Sequence, residues 1–174
     1  METVKRAGMI SEENAVKFNN TEFFGDIVAK LAETLEATVG LQDAEGFIAN
    51  VGESIGEEIS TMYDTGEAVS NAYISQILVD LKRRIGGEFT VAELTDEKIV
   101  LTNTRCPFAH RVNGKRSLCM MTTNVFGTIT ADRNGYAHVE VEDAIADNDK
   151  YCRVVVTLTP DAVTSEEGIE FFGG

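Results

Sequence analysis

Apolar residues recur every three or four positions through much of the first half of the chain. After Thr21, a predicted helix N-cap, one stripe is formed by Phe24, Ile27, Val28, Leu31 and Leu35. A second stripe begins after Asp43 and is formed by Phe47, Val51, Ile55, Ile59 and Met62. Residues with this spacing lie on one face of an α-helix, so the pattern predicts two amphipathic helices, the first ending near Gly40.

Two glycines, Gly52 and Gly56, lie beside the second stripe. Each glycine inside a helix costs about 1 kcal/mol relative to alanine. This spacing therefore predicts that something packs closely against the helix backbone. A neighbouring helix and a ligand both satisfy the pattern.

A third helix is predicted by a stripe of Val69, Tyr73, Ile74 or Ile77, Leu81 and Ile85. Basic residues at its end and Gly86 and Gly87 after it are typical of a helix C-terminus. Strands are predicted over residues 88–94 and 98–103, as a hairpin, and over 136–141 and 152–158, with a fourth helix over 117–131. Because these elements do not alternate as βαβ units, we expect an α+β fold: N-terminal helices packed on a small antiparallel sheet, with one further helix.

The length of 174 residues suits one domain with a single core. We predict a flexible N-terminal tail over residues 1–20, one domain over 21–160 and a C-terminal tail over 161–174. No apolar run has the length of a membrane span, and Glu2, Lys5 and Arg6 lie where a signal peptide would be apolar. We therefore expect a cytoplasmic protein without a membrane partner.

The net charge of −14 disfavours nucleic acid as a partner, because phosphate backbones are themselves negative. The sequence has no phosphate-binding loop, no dinucleotide fingerprint and no nucleophile elbow. An enzymatic role is therefore less favoured than a binding role, although a redox enzyme or a thiol switch between Cys106 and Cys119 stays open.

The residues best suited to metal binding or thiol chemistry are Cys106, Cys119, Cys152 and His110. Cys106 and His110 lie in a predicted loop, Cys119 at a predicted helix start and Cys152 on a predicted strand. Sulfur and imidazole ligands from separate elements can converge on one metal ion or cluster. Cys119 lies in the first turn of its predicted helix, where the helix dipole favours the thiolate. Residues 98–131 also contain five basic and no acidic residues, which would stabilise bound anionic groups.

Simpler interpretations of the same residues exist. Cys152 alternates with Val154 and Val156 on one strand face and could be a small core residue. The basic segment could be a solvated face or a contact for an acidic partner. His138 is predicted to be exposed.

Four segments resemble the methanogen output domain over roughly residues 20–160. They are GLQDAEGFIANVGESIG at 40–56, NTRCPFAHRVNGKRSLCMM at 103–121, VFGTI at 125–129 and GYAHVEVEDAIADNDKYCRVVVTL at 135–158. The order of C-P-F, then L-C, then C is also similar to that of vinyl-4-reductase-like domains and of a class of iron–sulfur-binding transcriptional repressors.

The resemblance implies a sensory or regulatory domain, often a homodimer, that holds a metal or cluster through Cys106, Cys119 and Cys152. His110 is our added candidate for a fourth ligand. The leading hypothesis is an iron–sulfur sensor of redox state, oxygen or nitric oxide that acts on a separate signalling protein through a conformational change. The alternative is a small-molecule-binding regulatory module in which the cysteines bind structural zinc or remain free thiols.

Overall fold

A computed structural model describes residues 19–63 and 69–174. Its helices are α1 (Asn20–Val39), α2 (Leu41–Met62), α3 (Asn71–Arg84) and α4 (Cys119–Asn134). Its strands are β1 (Phe89–Leu94), β2 (Lys98–Asn103), β3 (Tyr136–Asp143), β4 (Cys152–Thr157) and β5 (Ile169–Phe172). The strands form one antiparallel sheet in the order β1-β2-β4-β3-β5. The predicted α+β class is confirmed.

The N-cap of helix α1 is Asn19, two residues before the predicted cap Thr21. The Asn19 side chain accepts a hydrogen bond from the backbone N–H of Glu22 at 2.9 Å, and this satisfies a donor that the first turn leaves free. The helix ends at Gly40, whose φ of 86° favours glycine. Apart from Asn19 and Asn20, the predicted N-terminal tail lies outside the described residues.

Helix α4 is the central element, because it packs between α2 and the sheet. Its residues 123–131 are all buried. The main core joins α4 to α3 and the sheet through Ile74, Leu78, Phe89, Ile99, Phe126, Ile129, Val139 and Val156. A helix enclosed on all sides needs no polar face, which explains why α4 lacks a strong amphipathic pattern.

The glycines of α2 face α4. A Cβ atom added at Gly52 would lie 2.9 Å from the Cβ of Asn124, and one added at Gly56 would lie 2.9 Å from the Cβ of Thr128. A neighbouring helix is therefore what approaches this backbone. The small residues of α2, and not its large apolar stripe, form its buried face.

The apolar stripes predicted on α1 and α2 point largely outward. Phe24 and Leu31 are 60% and 58% exposed, and the other exposed large apolar residues of the two helices are Phe23, Ile27, Val39, Leu41, Phe47, Val51, Ile55 and Met62. We refer to these ten residues as the outer apolar face. Exposed apolar side chains in this number on two neighbouring helices make this part of the surface a candidate interaction site.

A strand lies within the segment 161–174, the predicted C-terminal tail. Strand β5 pairs with β3, and the Tyr136 hydroxyl donates to the Glu170 carboxylate at 2.7 Å. The prediction that His138 is exposed is wrong. His138 is 5% exposed because the chain near Gly168 covers its ring.

No helix in the described part of the chain is both long and apolar enough to cross a membrane.

Candidate functional site

The three cysteines line one small cavity between α4 and the sheet. Cys106 follows β2, Cys119 is the first residue of α4 and Cys152 is the first residue of β4. The cavity has a volume of about 20 Å³. Because one water molecule needs about 10–15 Å³, the space admits one or two small atoms and not an aromatic ring.

Sheet register explains why distant cysteines meet here. Asn103 at the end of β2 is the register partner of Cys152 at the start of β4. Strand β2 ends at Asn103, and Cys106 follows three residues later in the loop that leaves the sheet. Cys119, the first residue of helix α4, lines the same cavity from the helix side.

All three cysteines are free thiols, and burial controls the ionisation of two of them. Burial raises the pKa of Cys106 above its ordinary value. Burial also raises the pKa of Cys119 to about 12, although the nearby Arg116 guanidinium opposes this change. The expected preference of Cys119 for the thiolate at a helix start is therefore outweighed by desolvation. The Cys152 sulfur accepts a hydrogen bond from the backbone N–H of Ile145 at 3.4 Å.

His110 does not join the cysteines in this structure. It is exposed on the 3-10 turn Ala109–Val112 and is not among the residues that line the cavity. Within residues 19–63 and 69–174, no three His, Cys, Asp or Glu side chains lie together at the spacing of a metal-ion site. The structure thus brings three of the four predicted ligands to one cavity without drawing them into a closed site.

Lys82 is a site residue that the sequence reasoning missed. Its side chain is buried, at 3% exposure, and its Nζ donates to the Thr122 hydroxyl at 2.8 Å. The same Nζ lies 5.5 Å from the ring centroid of Phe89 and 5.0 Å from that of Phe126. Thr122 and Phe89 both line the cavity, so Lys82 lies directly behind its wall.

The Lys82 ammonium group lies in a buried, largely apolar environment. Burial lowers the pKa of Lys82 to about 8, and the thiols of Cys106, Cys119 and Cys152 act in the opposite direction. One sequence signal could have found this residue. Lys82 continues the buried stripe of α3 at the helical spacing set by Ile74, Ile77, Leu78 and Leu81.

Asn103 is a second buried polar residue of the cavity wall, at 1% exposure. Its side-chain Oδ1 accepts hydrogen bonds from the backbone N–H groups of Glu88 and Arg105, both at 3.1 Å. In the described part of the chain, its Nδ2 has no hydrogen-bond partner.

The basic segment of residues 98–131 does not converge on the cavity. Four of its five basic residues form ion pairs with acidic residues from other segments: Lys98 with Glu93, Arg105 with Glu88, Arg111 with Asp26 and Arg116 with Asp147. Most of this segment therefore serves surface ion pairing. Arg116 is the member whose charge reaches Cys119.

A family model matches most of the chain. The model of methanogen output domain 1 matches residues 27–157, which include Cys106, Cys119 and Cys152. The chain belongs to this family. Membership of an output-domain family supports the regulatory role predicted from the sequence. No curated protein matches this methanogen output domain in sequence.

Several solved structures share the fold of this methanogen output domain. The phenol-responsive sensory domain of the transcription activator PoxR, solved with phenol, has a TM-score of 0.62 at 14% identity, covering 77% of this chain and 74% of that one. Trafficking protein particle complex subunit 3 from Naegleria fowleri, covalently bound to palmitic acid, has a TM-score of 0.56 at 12% identity, covering 80% of this chain and 95% of that one.

An Fe(II) unliganded H-NOX protein variant from K. algicida has a TM-score of 0.55 at 12% identity, covering 89% of this chain and 83% of that one. At these identities the similarity of all three structures concerns the fold alone.

Proposed function

We propose that this methanogen output domain is a regulatory sensor whose signal is received in the cysteine-lined cavity. Cys106, Cys119 and Cys152 would hold a thiophilic metal centre there. The observation that carries the proposal is that three cysteines from three separate elements line one cavity. The regulatory part is supported by the output-domain family and by the sensory role named for the structurally similar PoxR domain.

The donor chemistry of the cavity fits a thiophilic metal. Thiolates are preferred ligands of zinc and of iron–sulfur clusters. The volume of about 20 Å³ fits one ion, whereas a cluster requires a wider cavity. The thiols must also move inward, because the described residues contain no closed ligand set. We therefore propose a single ion such as zinc in preference to the iron–sulfur cluster expected from the sequence.

A bound ion would tie the loop of Cys106, the start of α4 and the start of β4 to one another. Any displacement of Cys119 would be carried along α4, whose residues 123–131 are all buried. Helix α2 would follow, because Gly52 packs directly against Asn124. The adjacent side of α2, with Phe47, Val51 and Ile55, belongs to the outer apolar face, where a signalling partner could respond to the change.

Metal analysis of protein purified without oxygen tests this proposal. We expect about one thiophilic metal ion per chain, and loss of that metal in Cys106→Ser, Cys119→Ser and Cys152→Ser. The matched control is His110→Ala, which should retain the metal because His110 lies outside the cavity. A metal-free wild-type protein, from cells supplied with zinc and iron, would overturn the proposal.

A second candidate function is the binding of a small organic molecule in a different place. An open groove of about 600 Å³ lies between α3 and β1 and is lined by Tyr63, Tyr73, Ile77, Asp80 and Val91. Its aromatic and apolar lining and the hydrogen bond from the Tyr63 hydroxyl to Asp80, at 2.9 Å, suit an aromatic ligand with one polar group. Phenol titration followed by isothermal titration calorimetry tests this alternative, with Tyr73→Ala as the variant that should lose the binding heat.

A further inference from the structure

Two buried hydrogen-bond donors beside the cysteines have capacity that the protein does not use. Asn103 Nδ2 has no partner among the described residues. Lys82 has three N–H bonds, and Thr122 is the hydrogen-bond partner found for it in the same part of the chain. A buried donor without an acceptor is rare in folded proteins, so the free Nδ2 of Asn103 at this cavity indicates that an atom outside the protein supplies its acceptor.

The orientation of the Asn103 amide is fixed. Its Oδ1 accepts from two backbone N–H groups, those of Glu88 and Arg105. An amide turned by half a rotation would place its own N–H bonds against these two donors. The hydrogen-bond network therefore assigns Nδ2 to the free position.

Charge balance indicates what kind of ligand these donors would bind. In the described part of the chain, the groups that act electrostatically on the buried Lys82 are Cys106, Cys119 and Cys152, and its Nζ is hydrogen-bonded to the neutral Thr122 hydroxyl and not to a carboxylate. As neutral thiols they leave the ammonium without a counter-ion. A divalent ion bound by three thiolates has a net charge of −1, which the +1 charge of Lys82 neutralises.

We propose that Lys82 and Asn103 form a donor wall that recognises an anionic metal–thiolate centre in the cysteine cavity. Lys82 supplies the compensating charge, and Asn103 Nδ2 donates a hydrogen bond to an acceptor atom of the centre. Both are positioning residues, since neither is a metal ligand. This inference rests on the proposed function, and it adds that the centre must be negatively charged overall.

Anaerobic titration of the full chain with Co²⁺ tests the inference, because sulfur-to-cobalt charge transfer reports thiolate ligation directly. The variants are Lys82→Met, which removes the charge at similar volume, and Asn103→Asp, which keeps Oδ1 for the two backbone donors but replaces Nδ2 by an acceptor. Each should weaken Co²⁺ binding by about 10- to 100-fold, as loss of groups around metal ligands commonly does.

The matched control is Lys98→Met, which changes the net charge equally but removes a half-exposed ammonium on the sheet. Its Co²⁺ affinity should remain within about twofold of the wild-type value. Lys82→Gln provides a second test of the charge if Lys82→Met does not give a folded protein by circular dichroism.

The outcomes separate the two proposals. If the wild-type protein shows no cobalt–thiolate band, the proposed metal function fails and this inference fails with it. If the wild-type protein binds Co²⁺ and both Lys82 variants and Asn103→Asp bind equally well, the donor wall is wrong and the metal function stands.

Discussion

Asn103 and Cys152 face each other at the end of the β2–β4 ladder, and both line the cavity. Strand pairing therefore brings the Asn103 amide, whose Nδ2 has no partner among the described residues, to the same strand end as the Cys152 thiol. The relationship links the rigid part of the fold to the proposed site, because a shift in register would separate the two residues.

Lys82→Met should stabilise the metal-free protein while it weakens metal binding. Removing the buried charge relieves its desolvation, and the hydrogen bond to Thr122 and the contacts with Phe89 and Phe126 are lost in return. We expect the free energy of unfolding to rise by about 1 to 3 kcal/mol at neutral pH, measured by urea denaturation. A destabilised but folded variant would show that Lys82 serves the structure more than the site.

This gain in stability should depend on pH. The pKa of Lys82 is about 8 in the folded chain, below its ordinary value of 10.5. Below pH 8 the amine is charged in both folded and unfolded states, so the whole cost of burial is present. As the pH rises from 8 to 10.5, the folded protein loses this proton more readily than the unfolded chain, and the cost disappears.

The advantage of Lys82→Met over the wild-type protein should therefore shrink between about pH 7 and about pH 9.5. Comparing the two proteins at each pH cancels the titration of groups that do not interact with Lys82, so the difference reports Lys82 together with its coupling to the cysteines. An advantage of equal size at both pH values would contradict the burial of a charged Lys82.

Alanine at Gly52 or Gly56 should destabilise the protein by about 1 to 3 kcal/mol, despite the higher helix propensity of alanine. The added Cβ would lie 2.9 Å from a Cβ atom of α4 at either position, and the helices would have to separate. Gly46→Ala is the matched control on the same helix, because no atom lies within 4 Å of its added Cβ. It should stabilise by up to about 1 kcal/mol in the same urea experiment.

Gly127→Ala should displace β5 from the domain. An added Cβ at Gly127 would overlap the ring of Phe171, so the strand could not remain in place. We expect a protease to cut the chain faster at sites C-terminal to residue 160. Mass spectrometry of the fragments over time measures this rate. The double variant Gly127→Ala with Phe171→Ala should recover part of the protection, and no recovery would mean that another contact holds β5.

The homodimer expected from the resemblance should form through the outer apolar face. Phe47→Glu or Leu31→Glu should produce monomers in sedimentation velocity experiments, whereas Val91→Glu, at an exposed apolar position on β1, should not. Residues 20–62 contain nine acidic residues and one basic residue, so higher salt should tighten the dimer by screening repulsion. A monomeric wild-type protein at all salt concentrations would contradict this expectation.

Local pattern was enough to predict the order of the main helices and strands. The first helix, for example, ends at Gly40 as expected, because the positive φ there is a local property of the chain. The cysteines were also recognisable as candidates, since each lies at or near the end of an element. The C-terminal strand escaped prediction because β5 is held by its pairing with β3 and by contact of Phe171 with α4, which are both long-range.

The sequence by itself determined which segments are helix or strand, since hydrophobic period and terminal residues act over a few neighbouring positions. The periodicity also predicted the buried side of α3, whereas only the tertiary structure decided which sides of α1 and α2 are buried. Periodicity shows that a helix face is apolar but not what covers it. Helix α4 packs against Gly52 and Gly56 of α2 and not against the large apolar stripe of α2. Packing likewise buried Lys82 beside the cysteines and left His110 at the surface, because only folding brings segments far apart in sequence to one place.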